Sequence, residues 1–290
     1  MTILRDITSA AVAPDTDASP GAGARLERVL ADLGPLVVAF SGGVDSAVLA
    51  RAALDVLGPE QVWAVTARSA SLATGELDHC RDLANSWGMS WAAVDTAELD
   101  RPEYVANGGD RCFWCKDALM DALLPLAAAQ GAAVALGVNL DDLGDHRPGQ
   151  DAARARGARF PLVEAALRKT DVRAVARERG LSVWDRPANP CLSSRIPYGT
   201  PVTVPVLSRI DRAEAAVRAA GFRDVRVRHH GDTARIEVPV DQLGAAAQRA
   251  DQLVASLEAI GYRYVTLDLA GLRSGNLNAA LADRALVDEA

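Results

Sequence analysis

Four short apolar runs, over residues 37–40, 62–67, 90–94 and 133–137, punctuate the first part of the chain and read as buried strands. Between them the apolar residues fall at helical spacing: over 24–33, from the Gly43 turn to a stop at Gly58, over 75–87, and from Cys112 to near Gln130. A further helix is capped by Thr170 and Asp171 and closed by Gly180. Strands alternating with helices of this length predict an α/β fold, a parallel sheet with helices on both faces, over residues 24–200. From Pro201 the pattern changes. A helix over 206–220, strands over 225–229 and 234–238 joined by Gly231-Asp232, a helix over 241–260 and a strand over 264–269 predict a small α+β domain spanning 201–290. Residues 1–23 are rich in Ala, Asp, Thr, Pro and Gly without periodicity, which predicts a flexible tail.

The first apolar run ends in Ser41-Gly42-Gly43-Val44-Asp45-Ser46 and passes at once into a helix. Such a junction is an anion site: glycines let the backbone approach a phosphate, and the free N–H groups and macrodipole of the helix favour negative charge. The Gly-Lys-Ser/Thr of a Walker A loop is missing. Mg²⁺ and nearby arginines are then expected to neutralise a bound polyphosphate. As written, the hexapeptide resembles the PP-loop of the ATP pyrophosphatases, which implies that ATP is cut between its α and β phosphates. The nucleotide site so implied comprises Ser41, Gly42, Gly43, Val44, Asp45 and Ser46, with Ala67 on the second strand, and Asp45 is counted with the catalytic residues.

Composition narrows the partners. A net charge of −7 argues against a broad nucleic-acid surface. The chain lacks the roughly eighteen-residue apolar run of a membrane span and a charged-then-apolar leader, which predicts a soluble cytoplasmic protein with no membrane partner. Four cysteines in 290 residues do not make a disulfide framework. Cys80 shares a helical face with Leu77, Ala84 and Trp87 and reads as a packing thiol; His79 beside it points elsewhere and receives no role.

Four further stretches carry chemistry. Cys112 and Cys115 stand at a helix N-terminus beside Arg111 and Lys116, a setting that lowers thiol pKa and suits metal or sulfur chemistry. After the fourth strand comes Val138-Asn139-Leu140-Asp141-Asp142-Leu143-Gly144-Asp145-His146-Arg147, beyond the carboxyl end where ligands of open α/β sheets bind. Its carboxylates suit Mg²⁺, with Asp142 and Asp145 the chosen ligands. Prolines flank Cys191 and Arg195 in Arg186-Pro187-Ala188-Asn189-Pro190-Cys191-Leu192-Ser193-Ser194-Arg195-Ile196-Pro197, a stiff loop that fixes the cysteine in place. Strand alternation sets Arg226 and Arg228 on one face, suited to a phosphate monoester or to a solvated surface.

Together, the PP-loop, Arg-Cys-Phe-Trp-Cys-Lys, the acidic loop, the proline-cysteine loop and Leu-Asp-Leu-Ala-Gly-Leu-Arg-Ser-Gly near the C-terminus resemble the LarE-type ATP-dependent sulfur transferases. The resemblance covers nearly the whole chain beyond the tail. It implies adenylation of a carboxylate of pyridinium-3,5-biscarboxylic acid mononucleotide, release of pyrophosphate and conversion to a thiocarboxylate, a step toward the nickel-pincer nucleotide of lactate racemase. It also implies ATP and Mg²⁺ as cofactors, a sulfide or other sulfur donor, a nickel-inserting protein that takes the product, and a homo-oligomer, with a hexamer as one form. In one type of the family the residue matching Cys191 gives up its own sulfur and becomes dehydroalanine. In the other, three cysteines hold a 4Fe-4S cluster. Cys112 and Cys115 accompany Cys191 here, so the ligand count favours the cluster. Arg195, Arg226 and Arg228 are the expected holders of the substrate phosphate. A structural zinc, a disulfide or persulfide relay at Cys112 and Cys115, an ammonia-using ligase and a non-catalytic nucleotide sensor are the competing readings.

Overall fold

The computed structural model describes residues 21–144 and 148–273. Residues 1–20 of the predicted tail, Asp145 and the last residues of the C-terminal motif lie outside them, while the helix at Ala22 begins within the end of the stretch expected to be a tail. In chain order the elements are α1 (Ala22–Leu33), β1 (Leu36–Ala39), α2 (Val44–Leu57), β2 (Val62–Arg68), α3 (Glu76–Ser86), β3 (Ser90–Asp95), α4 (Pro102–Ala106), α5 (Arg111–Ala129) and β4 (Ala133–Leu136). Then come α6 (Pro148–Ala155), α7 (Pro161–Glu164), α8 (Lys169–Glu178), α9 (Val204–Ala219), β5 (Arg226–His230), β6 (Thr233–Glu237), α10 (Leu243–Gln248), α11 (Ala250–Ile260) and β7 (Tyr264–Leu267).

The first four strands form one parallel sheet in the order β3-β2-β1-β4. β1 is central because both its faces are apolar. Leu36 and Val38, with Phe40 just beyond, enter a core shared with α1, α2 and α8. Val37 and Ala39 enter a second core built with α5 and Phe160. Burial on both faces is what makes the strand read as a continuous apolar run. β2 pairs on one side of β1 and β4 on the other, so the connections diverge at the carboxyl end of β1, and a crevice opens there.

The second sheet, β5-β6-β7, has β5 antiparallel to β6 and β7 parallel to it. Val225, Val227, Ala234 and Ile236 pack against α9 and α11 in a core of their own. The expected helix over 241–260 is broken at Arg249, whose φ and ψ are −102° and 20°. The guanidinium there donates to the Ala220 carbonyl and lies 5.3 Å from the Phe222 ring, so a tertiary contact decides the break. α9 also joins the two sheets: Leu207 and Ile210 pack with Tyr104, Leu192 and Ile196.

Candidate active site

The crevice is lined by the loop after β1. Gly42 has φ +67°, and a side chain there would meet His79 at 2.7 Å and the Cys80 sulfur at 2.9 Å. Glycine is therefore needed twice, for the backbone angle and for the space. The Ser46 hydroxyl stands 3.2 Å from Ser41 Oγ and donates to the Gly43 carbonyl, holding the turn closed over the start of α2. Gly137, just past β4, lets that strand abut the loop: a Cβ there would lie 2.7 Å from Ser46 N. His79 does not point away as expected, since its Nε2 is 3.1 Å from the Gly42 carbonyl oxygen. Cys80 is buried as read, its thiol donating to the Phe40 carbonyl at 3.8 Å, and burial pushes its pKa up to about 11.

Asp45 is the meeting point of three elements. Asn139, in the loop after β4, donates from Nδ2 to Asp45 at 3.1 Å and to Asp142 at 2.9 Å, so the acidic loop faces the PP-loop as expected. The other Asp45 oxygen pairs with Lys169 at the start of α8. Sequence reading missed this lysine because it lies far along the chain. α8 itself starts one residue before the expected cap, with Asp171 accepting from the Arg168 N–H at 2.9 Å. Asp141 is occupied otherwise: the Lys169 N–H at 2.8 Å and the Arg168 guanidinium at 2.9 Å bind its carboxyl and hold its pKa below the usual range. Ala67 sits half-buried on β2, opposite Val94 of β3, in the core beneath the sheet.

A second group of contacts seats the Cys191 loop on the start of α5. Buried Arg111 donates from Nη1 to Asn107 Oδ1 at 2.6 Å and to the Ser193 carbonyl at 2.8 Å. Asn107 in turn donates to the carbonyls of Pro197 and Thr200 at 2.8 and 2.9 Å. Tyr104 Oη is 2.6 Å from Ser193 Oγ, and the Leu192 N–H reaches the Ser71 carbonyl at 2.9 Å. Cys112 and Cys191 are exposed; Cys115 is less so, packed with Tyr104 and Leu192. Burial first, then the charge of Cys191, raises the Cys115 pKa, opposite to the lowering that its helix position suggests; Lys116 counteracts only part. Arg111 turns inward to the loop and still acts on the thiols as expected: burial opposes its charge, but Cys191 and Cys112 raise its pKa. Among the described residues no three Cys, His, Asp or Glu side chains stand close enough to grip a single metal ion.

The three expected arginines also draw together. Arg195 is buried and pairs with buried Glu214 at 2.7 Å, while its Nη1 donates to the Pro190 carbonyl at 2.7 Å. Arg228 pairs with Glu237 through two bonds of 2.9 Å and donates to the Ser194 carbonyl at 2.7 Å. Both therefore fix the Cys191 loop. Arg226 differs, since its guanidinium donates to the carbonyls of Arg273 at 2.9 Å and Ala188 at 3.4 Å. Burial and the charges of Arg195 and Arg228 lower its pKa, the signature of concentrated positive charge. It lines a cavity of about 380 Å³ together with Arg186, Asn189, Arg195, Arg218 and Arg223. Arg186 joins this cavity to the nucleotide crevice by donating to the Gly42 carbonyl at 3.1 Å and to Glu76 at 2.7 Å.

A parallel sheet whose central strand delivers Ser-Gly-Gly-Val-Asp-Ser into a helix at the switch point defines an ATP-using enzyme of the PP-loop class. The NAD synthase family model matches residues 29–104, the stretch that carries this loop. An uncharacterised protein of Synechocystis is 45% identical over 259 residues, 88% of this chain and 96% of that protein. A pyridinium-3,5-bisthiocarboxylic acid mononucleotide synthase of Lactiplantibacillus plantarum is 40% identical over 259 residues, 89% of this chain and 94% of its own length. A tRNA-specific 2-thiouridylase of Azorhizobium caulinodans is 33% identical over 191 residues, 52% of this chain and 48% of its own. The chain belongs to the LarE-type family of PP-loop ATP-dependent sulfur transferases. No helix among the described residues is long and apolar enough to cross a membrane.

Proposed function

We propose that this protein adenylates a carboxylate of pyridinium-3,5-biscarboxylic acid mononucleotide and converts it to a thiocarboxylate, a step in building the nickel-pincer nucleotide, with sulfide carried on a 4Fe-4S cluster held by Cys112, Cys115 and Cys191. The name of the Lactiplantibacillus relative supports the substrate. The observation that carries the cluster is the seating of the Cys191 loop on the start of α5, where Cys191 and Cys112 both act electrostatically on the Cys115 thiol. Burial and then the Cys191 charge keep Cys115 a neutral thiol in the free protein, and a cation bound among the three cysteines would turn it into a thiolate ligand. A cluster takes one thiolate on each of three irons and so fits donors spaced wider than a single ion would need. When bound, it supplies an open iron for the sulfide.

The chain's own residues do the rest. The first N–H groups of α2 and the hydroxyls of Ser41 and Ser46 receive the β,γ-phosphates, and Lys169 moves from Asp45 onto them. Asp45 and Asp142, across Asn139, are the carboxylates that would hold Mg²⁺ with the phosphates, in keeping with a cation that binds few protein ligands. A carboxylate is a poor electrophile, and joining it to AMP creates the leaving group that sulfur displaces. Arg226, with Arg223 in the same cavity wall, takes the substrate phosphate, while Arg195, Arg218 and Arg228, each paired with a glutamate, add charge, and Arg195 and Arg228 hold the Cys191 loop.

Sacrifice of Cys191 is the second reading, favoured by that thiol's exposure. It leaves Cys112 and Cys115 without a task. A zinc bound by all four cysteines would need Cys80, which faces the Phe40 carbonyl inside the core. The test is incubation of anaerobically purified protein with ATP, Mg²⁺, the biscarboxylate nucleotide and sulfide. One pyrophosphate per thiocarboxylate is expected; an ammonia-dependent amide, or no pyrophosphate, refutes the proposal.

A further inference from the structure

Among the described residues, Glu98 is the only carboxylate with a buried oxygen that no protein group hydrogen-bonds. The residue is 2% exposed. Its Oε1 accepts from Ser71 Oγ at 3.4 Å, and its Oε2 accepts from no protein group among the described residues. A buried carboxylate left half satisfied is costly, and a native fold that keeps one calls for a reason. The surroundings supply it. Ser71 is the residue whose carbonyl receives the Leu192 N–H and so anchors the Cys191 loop. Leu99, next to Glu98, packs with Tyr104, Leu192 and Cys115. The carboxylate also acts electrostatically on the Cys115 thiol. Glu98 thus stands behind the cysteine site, with an acceptor oxygen to spare.

The chemistry proposed above, on which this inference rests, releases one proton whenever sulfur replaces oxygen. We propose that Glu98 is the group that accepts it. The S–H nucleophile gives an electron pair to the carbonyl carbon of the acyl-adenylate, and a C–S bond forms. The C–O bond to AMP breaks, and its electron pair leaves with the AMP phosphate. The proton of the S–H passes to Oε2 of Glu98. The balance is the same for free hydrosulfide, the nucleophile used in the test below, and for the Cys191 thiol. An exit lies on the other oxygen: Ser71 Oγ is 2.8 Å from Ser69 Oγ, and Ser69 is only half-buried, so two hydroxyls lead from the carboxyl toward solvent. Tyr104 does not compete as the acceptor, because it is the hydrogen-bonded partner of Ser193 and holds the loop.

Glu98→Gln keeps the shape and removes the proton acceptor. Anaerobically purified wild type, Glu98→Gln and Glu98→Asp are compared in two arms. Without sulfide, hydroxylamine traps the acyl-adenylate as a hydroxamate while pyrophosphate is counted; with sodium sulfide, thiocarboxylate is followed. The expected result is unchanged hydroxamate, pyrophosphate and iron content in Glu98→Gln, thiocarboxylate formation slower by about 100-fold or more, and partial recovery in Glu98→Asp. Thiocarboxylate formation at the wild-type rate overturns the inference. So does an equal fall in hydroxamate, or a loss of iron, since either makes Glu98 a structural residue. Wild type that releases no pyrophosphate is a different failure, which sinks the adenylation reading and this inference with it.

Discussion

Replacing Lys169 with methionine separates what the lysine does for ATP from what it does for the fold. In the free protein its ammonium pairs with Asp45, and the two side chains are 35% and 21% exposed. A pair this accessible to water contributes little, about 0–1 kcal/mol. Asp45 keeps its bond from Asn139 after the change, so no carboxylate is stranded. Thermal unfolding should therefore shift by no more than a few degrees, at roughly 2–4 °C per kcal/mol for a chain of this class. Catalysis should suffer far more. Once ATP and Mg²⁺ claim the loop, the lysine's charge belongs to the phosphates, where negative charge grows as pyrophosphate departs. Loss of one such preorganised group costs about 10²–10³-fold in rate, or ~3–4 kcal/mol. The assay is pyrophosphate release at saturating ATP and substrate, beside a melting curve. A rate close to wild type would show that Lys169 only anchors α8. A large loss of stability with proportionate loss of rate would refute the division of roles.

Two other substitutions probe the framework. Glu214→Ala removes the carboxylate that Arg195, Arg218 and the Val227 N–H share and leaves the buried Arg195 charge uncompensated, so unfolding should become easier by about 3–5 kcal/mol, measured by urea titration. Gly137→Ala places a methyl 2.7 Å from Ser46 N, and calorimetric titration should show ATP bound about tenfold more weakly, ~1.4 kcal/mol.

The β1 to α2 junction was legible because everything that defines it is local: an apolar run, two glycines and a helical repeat. The same holds for Cys80, whose burial follows from its place on one helical face. What escaped was set by contacts between distant segments. Lys169 meets Asp45 only because α8 packs against α2. Arg195 and Arg228 read as phosphate ligands, yet Glu214 and Glu237 already engage them, while Arg218 and Arg223 in the cavity wall gave no signal. His79 reaches Gly42 because that glycine has no side chain to keep it away. Glu98 could not be singled out, since an unpaired oxygen is a property of the packed interior.

The central claim is that Cys112, Cys115 and Cys191 act together, and iron with acid-labile sulfide per chain tests it most directly. Protein purified without oxygen should carry about four irons, and Cys112→Ala, Cys115→Ala and Cys191→Ala should each lose them, while Cys80→Ala keeps them. Wild type that binds no iron under cluster-loading conditions, and loses the mass of hydrogen sulfide after one turnover, would contradict the claim and make Cys191 the sulfur donor.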